Sequence, residues 1–359
     1  MGPPITLPKL MFGSGALAKL GGELALLGLV RPFLISDRGL ERVGIVERLR
    51  GMTAVFLDVP ENPVAAGVDA AAAAYRAADC DGIVALGGGS VLDTAKLVAA
   101  IGPTNAAALD VIGSYDQITA VVPLIAIPTT VGTGSESSPV AAVHRDPHGP
   151  AIGTRGPMMV PRVAILDPDL VRSLPPRLIA ATAVDALSHC LEGFFCDPPN
   201  PMVDALALDG IGRVFADVEA ALDPASNNGD VARASLMAAA FAGGAAIHKG
   251  LGPAHAIATS VPAEAHHGTL IGVVLPHTTR LLARAVPAKA AKIAAVIGTE
   301  DIAAAIASLI TRLGLPTTLA AAGSSAPSLE AMLGSPFNRT GPYAPTADEY
   351  RAIAAAVSG

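Results

Sequence analysis

The first half of the chain alternates short apolar, β-branched runs with Ala-rich stretches, and this alternation restricts the fold more than any other feature. Strands that are apolar throughout and separated by helices are typical of a parallel sheet covered on both faces. The sequence therefore predicts an α/β fold with a Rossmann-like parallel sheet. The predicted strands are 32–36 (PFLIS), 54–57 (AVFL), 82–86 (GIVAL), 124–127 (LIAI) and 163–166 (VAIL), and the helical stretches between them include 64–78 and 91–101.

The second half of the chain has a different pattern, in which long segments rich in Ala and Leu follow one another. A chain of 359 residues is too long for one ordinary core. We therefore predict an α/β domain over residues 1–174 and an all-α helical domain over residues 175–359, with the boundary near Pro175 and Pro176. The segments that indicate helices are 177–194, 201–221, 230–246 and 288–297.

Composition and charge exclude several classes of function. The net charge of −7, with aromatic residues at 3% and no Trp, argues against a nucleic-acid-binding surface. Residues 1–9 lack the charged and apolar regions of a signal peptide, and no run reaches the roughly 20 apolar residues of a membrane span. Cys80, Cys190 and Cys196 are an odd number without a CxxC pair, which favours free thiols in a reducing compartment. We expect a cytoplasmic protein that binds neither nucleic acid nor membrane.

A glycine-rich turn connects one predicted strand to the next helix. Strand 82–86 leads into Gly87, Gly88, Gly89 and Ser90. Glycines let the backbone approach a pyrophosphate closely, the start of a helix presents free N–H groups to an anion, and Ser90 can cap that helix. The motif favours phosphate binding, although a tight turn without a ligand has the same sequence, and it is not a GxGxxG fingerprint.

Two further segments lie where parallel sheets bind nucleotides. The loop 128–136 (PTTVGTGSE) follows strand 124–127 and is rich in glycine and small hydroxyl residues. Asp37 follows strand 32–36, where a carboxylate can accept hydrogen bonds from an adenosine ribose and repel a 2′-phosphate. This favours NAD over NADP, with NADP possible. The alternative for Asp37 is that it caps the next helix.

The helical half contains residues suited to binding a metal ion. Asp185 and His189 are four residues apart, so they share one face of a helix. By itself such a pair is more often exposed, but His255, His266 and His267 follow in the same half. One carboxylate and several imidazoles suit a divalent cation such as Fe²⁺ or Zn²⁺.

These motifs together resemble the iron-containing (group III) alcohol dehydrogenases. The segments that carry the resemblance are GGGSVLDTAK (87–96), PTTVGTGSE (128–136), VAILDPDLVRSLP (163–175), ATAVDALSHCLEG (181–193) and GLGPAHAIA (250–258). The resemblance implies a dinucleotide-binding domain followed by a helical domain, hydride transfer between nicotinamide and a small aldehyde, and a homodimer. It implies that the metal ligands are Asp185, His189, His255 and His267, with His266 as the alternative to His267. It places along the cofactor Asp37, Asn62, Gly88, Gly89, Ser90, Asp93, Thr129, Thr130 and Thr133.

The segment before the last of these motifs bears on the substrate. His248 and Lys249 occupy positions where many members of this family have small or amide side chains, so with His255 they are our candidate catalytic residues. A cationic pair would suit an aldehyde bearing a phosphonate or carboxylate, such as phosphonoacetaldehyde or maleylacetate, and the metal set argues against the latter. The alternative is a Lys249 side chain that points to solvent.

Two other kinds of protein could share these features. Glycerol dehydrogenases and dehydroquinate synthases have the same two-domain architecture and also combine NAD with a metal. A catalytically silent binding protein is the alternative from another class, and the four candidate ligands argue against it.

Overall fold

The predicted strands form one parallel sheet in the computed structural model, which describes residues 4–49, 51–114, 118–147, 149–223, 226, 228–261, 265–339, 341 and 343–359. The strands are β1 (Lys9–Phe12), β2 (Pro32–Ile35), β3 (Ala54–Phe56), β4 (Gly82–Gly87), β5 (Leu124–Pro128), β6 (Val140–His144), β7 (Ala151–Arg155) and β8 (Val163–Leu166). The sheet has the order β1-β8-β5-β4-β2-β3, and its neighbouring strands are all parallel. Strands β6 and β7 form a separate antiparallel pair.

The helices lie between the strands in the first half and fill the second half. They are α1 (Leu20–Leu26), α2 (Arg38–Arg42), α3 (Ala65–Ala77), α4 (Gly89–Ile101), α5 (Ala108–Val111), α6 (Pro176–Phe195), α7 (Pro201–Leu222), α8 (Gly229–Ile247), α9 (Pro253–Ala258), α10 (His267–Ala285), α11 (Pro287–Ile297), α12 (Ile302–Arg312), α13 (Leu329–Gly334) and α14 (Ala347–Ser358). Short 3₁₀ turns occur at Ala16–Lys19, Val46–Arg48, Pro157–Met159, Pro168–Leu170 and Pro336–Arg339.

The sheet is covered on both faces, as predicted. Successive residues of a strand point to opposite faces, so Phe33 and Ile35 of β2 join a core cluster with Val68 of α3, whereas Leu34 joins the cluster that contains Leu17. All five predicted strands are confirmed. Strand β1 and the β6–β7 pair were not predicted, because their short sequences mix apolar with charged, glycine or alanine residues.

The chain divides into two compact units. One contains 4–130 and 135–173 and includes the sheet; the other contains Val131–Gly134 and Leu174–Gly359 and is helical throughout its regular elements. The α/β and all-α character predicted for the two halves is therefore confirmed. The four residues 131–134, in contrast, belong to the helical unit because their backbone packs between its helices: a Cβ on Gly134, whose φ is +61°, would lie 2.4 Å from the backbone nitrogen of Gly244.

Two helices of the helical unit are long and apolar enough to span a membrane by length and composition alone. They are α6 and α8, and a third span would arise if α11 and α12, bent by 45° where they meet, counted as one. Neither helix is an uninterrupted run of 20 apolar residues, because each contains charged side chains, but Ala, Leu, Ile and Phe keep the mean hydropathy high between them. Within the folded unit, 94% of the apolar 18-residue segment of α6 and 72% of that of α8 are buried. The expectation about a leader concerns residues 1–9, of which 1–3 lie outside the described residues.

Candidate functional site

Helix α6 carries three acidic or imidazole side chains on one buried face. Asp185, His189 and Glu192 are separated by four and three residues, a spacing that aligns side chains along a helix. All three are buried, to 4%, 6% and 1% exposure. The alternative of an exposed Asp–His pair is therefore wrong. Ionisable groups are rarely buried without a partner, so this face is a functional-site candidate.

Imidazoles from α6 itself and from two other helices surround the Asp185 carboxylate. Its Oδ1 atom lies 3.7 Å from Nε2 of His189 and 3.6 Å from Nε2 of His267, the first residue of α10. His255 of α9 stacks on His189 with ring centroids 4.9 Å apart and lies 5.4 Å from the His267 ring. Ligand atoms of Asp185, His255 and His267 all lie within 4.8 Å of one another. His189 lies next to this group because its Nε2 atom is close to Asp185.

The start of α10 reaches α6 closely because the residue after His267 is glycine. A Cβ on Gly268 would lie 2.2 Å from the carbonyl oxygen of Ala181 and 3.3 Å from Cβ of Asp185. Only a glycine therefore permits this approach without a shift of backbone. The geometry thus favours His267 over His266, whose ring is absent from the group that could hold a metal among the described residues.

The buried polar atoms of this cluster fit a divalent cation. Oδ1 of Asp185 and Nε2 of His255 are buried, and neither has a hydrogen-bond partner among the described residues. A carboxylate oxygen left unpaired in the interior is costly, and a bound cation removes that cost. Burial lowers the pKa of His189, which keeps its imidazole neutral as ligation requires. Burial opposes ionisation of Asp185, but the surrounding histidines outweigh it and lower the pKa of this carboxyl.

Glu192 holds the His255 ring, a contact that the sequence analysis missed. Its Oε2 atom lies 2.7 Å from Nδ1 of His255 and accepts from the Gly252 N–H at 2.9 Å, while Oε1 accepts from the Ala254 N–H at 2.7 Å. On the other side, the ring of Phe337 in Pro336–Arg339 lies 5.9 Å from that of His255. The spacing of Glu192 from His189 could have revealed it, because a turn of helix separates them.

Three predicted cofactor-binding segments follow three adjacent strands. Strand β4 lies between β2 and β5, and all three are parallel. Their carboxyl ends therefore meet at one edge of the sheet, which brings together Asp37 after β2, Gly88 after β4 and Thr129 after β5. A Cβ on Gly88 would lie 3.1 Å from Cγ2 of Thr130, so the two loops are in close contact. Thr133 lies in the segment that belongs to the helical unit.

The glycine turn forms the start of α4 as predicted, but Ser90 does not cap it. Gly88 precedes the helix and no side chain caps its N-terminus. The Ser90 hydroxyl instead donates to the carbonyl of Glu61, which brings the loop of the exposed Asn62 beside the turn. The first N–H groups of α4, including that of Gly89, have no acceptor within the helix, so this end can bind an anion through its backbone.

The other two carboxylates in this region have partners of their own. Asp37 caps α2, because its Oδ1 atom accepts from the Leu40 N–H at 2.9 Å, so the capping alternative is confirmed. Its second oxygen could still accept from a ribose hydroxyl, and that interaction stays a prediction. Asp93 accepts from the Ser135 hydroxyl at 2.6 Å and from the Ala142 N–H at 2.8 Å. Asp93 therefore supports the loop 135–142, and its contact with the cofactor stays a prediction.

Two family models match consecutive parts of the chain. The one described as iron-containing alcohol dehydrogenase matches residues 8–168, and the C-terminal model of the Fe-containing alcohol dehydrogenase family matches residues 179–350. The chain is also 35% identical to a 4-hydroxybutyrate dehydrogenase of Cupriavidus necator over 366 residues, covering 94% of each chain. The chain belongs to the iron-containing alcohol dehydrogenase family.

Solved structures of this family have the same fold. A sulfoacetaldehyde reductase from Bifidobacterium kashiwanohense in complex with NAD⁺ superposes with a TM-score of 0.89 at 28% identity, covering 100% of this chain and 99% of that one. A 1,3-propanediol oxidoreductase superposes with a TM-score of 0.89 at 27% identity, covering 98% of both chains. This chain is accordingly an alcohol and aldehyde oxidoreductase that acts on a CH–OH group.

Lys249 of this dehydrogenase does not present a free cation. Its ammonium group pairs with the Asp204 carboxylate, donates to the carbonyl of Phe194 at 3.3 Å and lies 6.0 Å from the Phe194 ring centroid. The side chain is 1% exposed, so the expectation of a substrate-facing cation and the alternative of a solvent-facing one are both wrong for Lys249. The cause is Asp204 in the first turn of α7, which the sequence separates widely from Lys249. His248 is buried at the C-terminal end of α8.

A second pair of buried charges supports the loop after β5. The Lys96 ammonium donates to the carbonyls of Ser138 at 2.8 Å and Val140 at 2.7 Å, and burial lowers the pKa of Lys96 to about 8. Burial raises the pKa of Glu136 to about 7. Lys96 thus holds the hairpin strand β6 beside α4, and the two shifted pKa values give the α/β unit groups that titrate near neutral pH.

Proposed function

We propose that this dehydrogenase binds a divalent cation through Asp185, His189, His255 and His267 and reduces a short aldehyde with NADH. The observation that supports the ligand set best is the buried Oδ1 of Asp185, which has no hydrogen-bond partner among the described residues and two imidazole nitrogens within 3.7 Å. A cation at this position would supply Lewis-acid polarisation of the substrate oxygen. We propose Fe²⁺ from the family description, with Zn²⁺ as the alternative suited to the same ligands.

The α/β unit would bind the dinucleotide. Backbone N–H groups at the start of α4, near Gly89 and Ser90, would bind the pyrophosphate, and Thr129 and Thr130 would line the cofactor with Asn62. Thr133, which belongs to the helical unit, stays a predicted cofactor contact. The free oxygen of Asp37 would accept from the ribose hydroxyls and disfavour a 2′-phosphate, so we propose NAD as the preferred cofactor. The NAD⁺ complex of the sulfoacetaldehyde reductase supports this choice.

We further propose that the substrate carries an anionic group at the end remote from the aldehyde. The support is the names of two similar proteins, a 4-hydroxybutyrate dehydrogenase and a sulfoacetaldehyde reductase, whose substrates contain a carboxylate and a sulfonate. A phosphonate is a third anion of this kind. Lys249 is paired with Asp204, so of His248 and Lys249 only His248 is still proposed to contact the anionic group of the substrate.

The experiment is NADH oxidation with matched anionic and neutral aldehydes, namely succinic semialdehyde, sulfoacetaldehyde, phosphonoacetaldehyde and butanal. Each is tested before chelation, after chelation, and after Fe²⁺ or Zn²⁺ is restored. We expect chelation to remove activity, metal to restore it, and kcat/KM to be at least tenfold higher for an anionic aldehyde. Equal kcat/KM for butanal and succinic semialdehyde would contradict the substrate proposal. Activity that survives complete chelation would contradict the metal proposal.

A matched pair of variants tests the ligand set. Asp185→Asn should abolish metal binding, whereas Asp209→Asn on α7, whose carboxylate pairs with Arg213 at the surface, should bind metal like the wild type. Absence of net NADH oxidation with every aldehyde by a metal-loaded protein would instead favour the lyase chemistry of dehydroquinate synthases.

We also propose that the enzyme is a cytoplasmic homodimer. Three free, buried cysteines suit a reducing compartment, and the family resemblance supports the dimer. Light scattering of the purified protein tests the dimer, and a monomer at micromolar concentration would contradict it.

A further inference from the structure

Both oxygens of the Glu192 carboxylate have hydrogen-bond partners beside the proposed metal site. It is 1% exposed, and its two oxygens receive the Gly252 N–H, the Ala254 N–H and Nδ1 of His255 at distances from 2.7 to 2.9 Å. We propose that Glu192 is a positioning residue that fixes the ring orientation and the tautomer of His255. This inference rests on the ligand set proposed above and adds a residue outside it.

The direction of these hydrogen bonds determines the tautomer. An ionised carboxylate only accepts hydrogen bonds, so Nδ1 of His255 carries the proton. A neutral imidazole has one N–H, and its other nitrogen, Nε2, then has a free lone pair. This Nε2 is buried and has no hydrogen-bond partner among the described residues, and His255 belongs to the same group as Asp185 and His267. A carboxylate bonded to the far nitrogen also makes the ligating nitrogen more basic.

An amide in place of the carboxylate cannot satisfy this arrangement. If the Gln oxygen replaced Oε2 to serve His255 and Gly252, its NH₂ group would face the Ala254 N–H, donor against donor. If the amide were flipped, its NH₂ group would donate to Nδ1 of His255 and favour the tautomer with a proton on Nε2. That tautomer has no lone pair on Nε2, so His255 cannot ligate a metal through this nitrogen. Glu192→Gln therefore acts on metal binding although residue 192 is not a ligand.

Metal affinity of the purified apo-protein is the first readout, measured with Zn²⁺ and Fe²⁺ in competition with a chromophoric chelator. We expect Glu192→Gln to raise the metal Kd about 10–100-fold, the usual range for a lost partner of a ligating histidine. Glu192→Asp keeps the charge and should recover part of the affinity. The control is Glu23→Gln in the α/β unit, a nearly buried carboxylate paired with Lys9, which should change Kd by less than about twofold. A folded Glu192→Gln that binds metal as tightly as the wild type would overturn the inference.

The tautomer itself gives a second test that needs no variant at position 192. In ¹⁵N-histidine-labelled wild-type apo-protein, the His255 resonances are assigned by their loss in His255→Asn. We expect an N–H at Nδ1 and an unprotonated Nε2, and the reverse tautomer would overturn the inference even if Glu192→Gln failed to fold. Neither readout uses substrate. A wild type that binds no metal would refute the proposed function, whereas a wild type that binds metal with a reversed His255 tautomer would refute only the role of Glu192.

Discussion

The ammonium of Lys249 lies against the carboxylate of Asp204, and this largely buried ion pair joins the end of α8 to the first turn of α7. The same ammonium donates to the carbonyl of Phe194 near the end of α6. Lys249 thus connects three helices of the unit that carries the proposed metal site. Its charge is used for structure, so the selectivity of the enzyme for an anionic aldehyde should not depend on it.

We expect Lys249→Met to lower the free energy of unfolding by about 3 kcal/mol, because it leaves the Asp204 carboxylate without its partner. The ratio of kcat/KM for succinic semialdehyde to that for butanal should stay within twofold of the wild type. Chemical denaturation and steady-state kinetics measure the two effects. Arg312→Ala is the control, because its pair with Glu219 is exposed and its loss should cost about 0.5 kcal/mol or less. A selective loss of activity toward the anionic aldehyde in Lys249→Met would show that Lys249 contacts substrate.

Gly268→Ala should weaken both the fold and the metal site. The new Cβ would lie 2.2 Å from the Ala181 carbonyl, so α10 must shift and take His267 away from Asp185. We expect a loss of roughly 1–3 kcal/mol of stability and at least tenfold weaker metal binding. Gly272→Ala, one turn later on the same helix, is the matched control, because its Cβ would meet Val184 at an ordinary 3.6 Å. Equal metal affinity in the two variants would contradict the close approach of α10 to α6.

Asp37 should have two separable roles, one in capping α2 and one in selecting the cofactor. Asp37→Ser keeps an oxygen that can cap the helix but removes the charge that repels a 2′-phosphate. We expect its kcat/KM with NADPH to rise about tenfold while its stability changes by about 0.5 kcal/mol or less. Asp37→Ala should gain NADPH activity too but lose about 1 kcal/mol of stability with the cap. If neither variant uses NADPH better than the wild type, Asp37 does not contact the ribose.

The stability of the α/β unit should fall as pH rises from about 4.5 toward 7 because of Glu136. Burial raises its pKa from 4.5 to about 7, so over this range the unfolded chain loses the proton while the folded chain keeps it. The contribution of Glu136 to the free energy of unfolding is therefore fully present below pH 4.5 and is lost by about pH 7. In Glu136→Gln the free energy of unfolding should decline less between pH 5 and 7, as measured by urea denaturation. The exposed Glu47→Gln should keep the wild-type slope, and an equal slope in Glu136→Gln would contradict the shift.

The sequence predicts this molecule best where its signals are local. Apolar runs identify the four inner strands, because burial on both faces leaves no polar position, and also the edge strand β3, whereas edge strand β1 begins with Lys9 and has only three apolar residues. The spacing of Asp185 and His189 predicts a shared helix face from helix geometry alone. Partners far apart in the chain escape such reasoning, as with Asp204 for Lys249 and Ala142 for Asp93. These contacts depend on how whole elements pack, which one sequence does not specify.

The burial of α6 restricts how this enzyme can diverge. From Ile179 to Phe195 every residue of the helix is buried, so a substitution that alters the chemistry of its functional face also disturbs the packing of neighbouring helices. New substrate preferences are therefore expected to arise in less constrained segments that border the same histidines, such as the short turn Pro336–Arg339 with Phe337 beside His255. Descendants of this enzyme that accept other aldehydes should differ first in that turn and keep α6 almost unaltered.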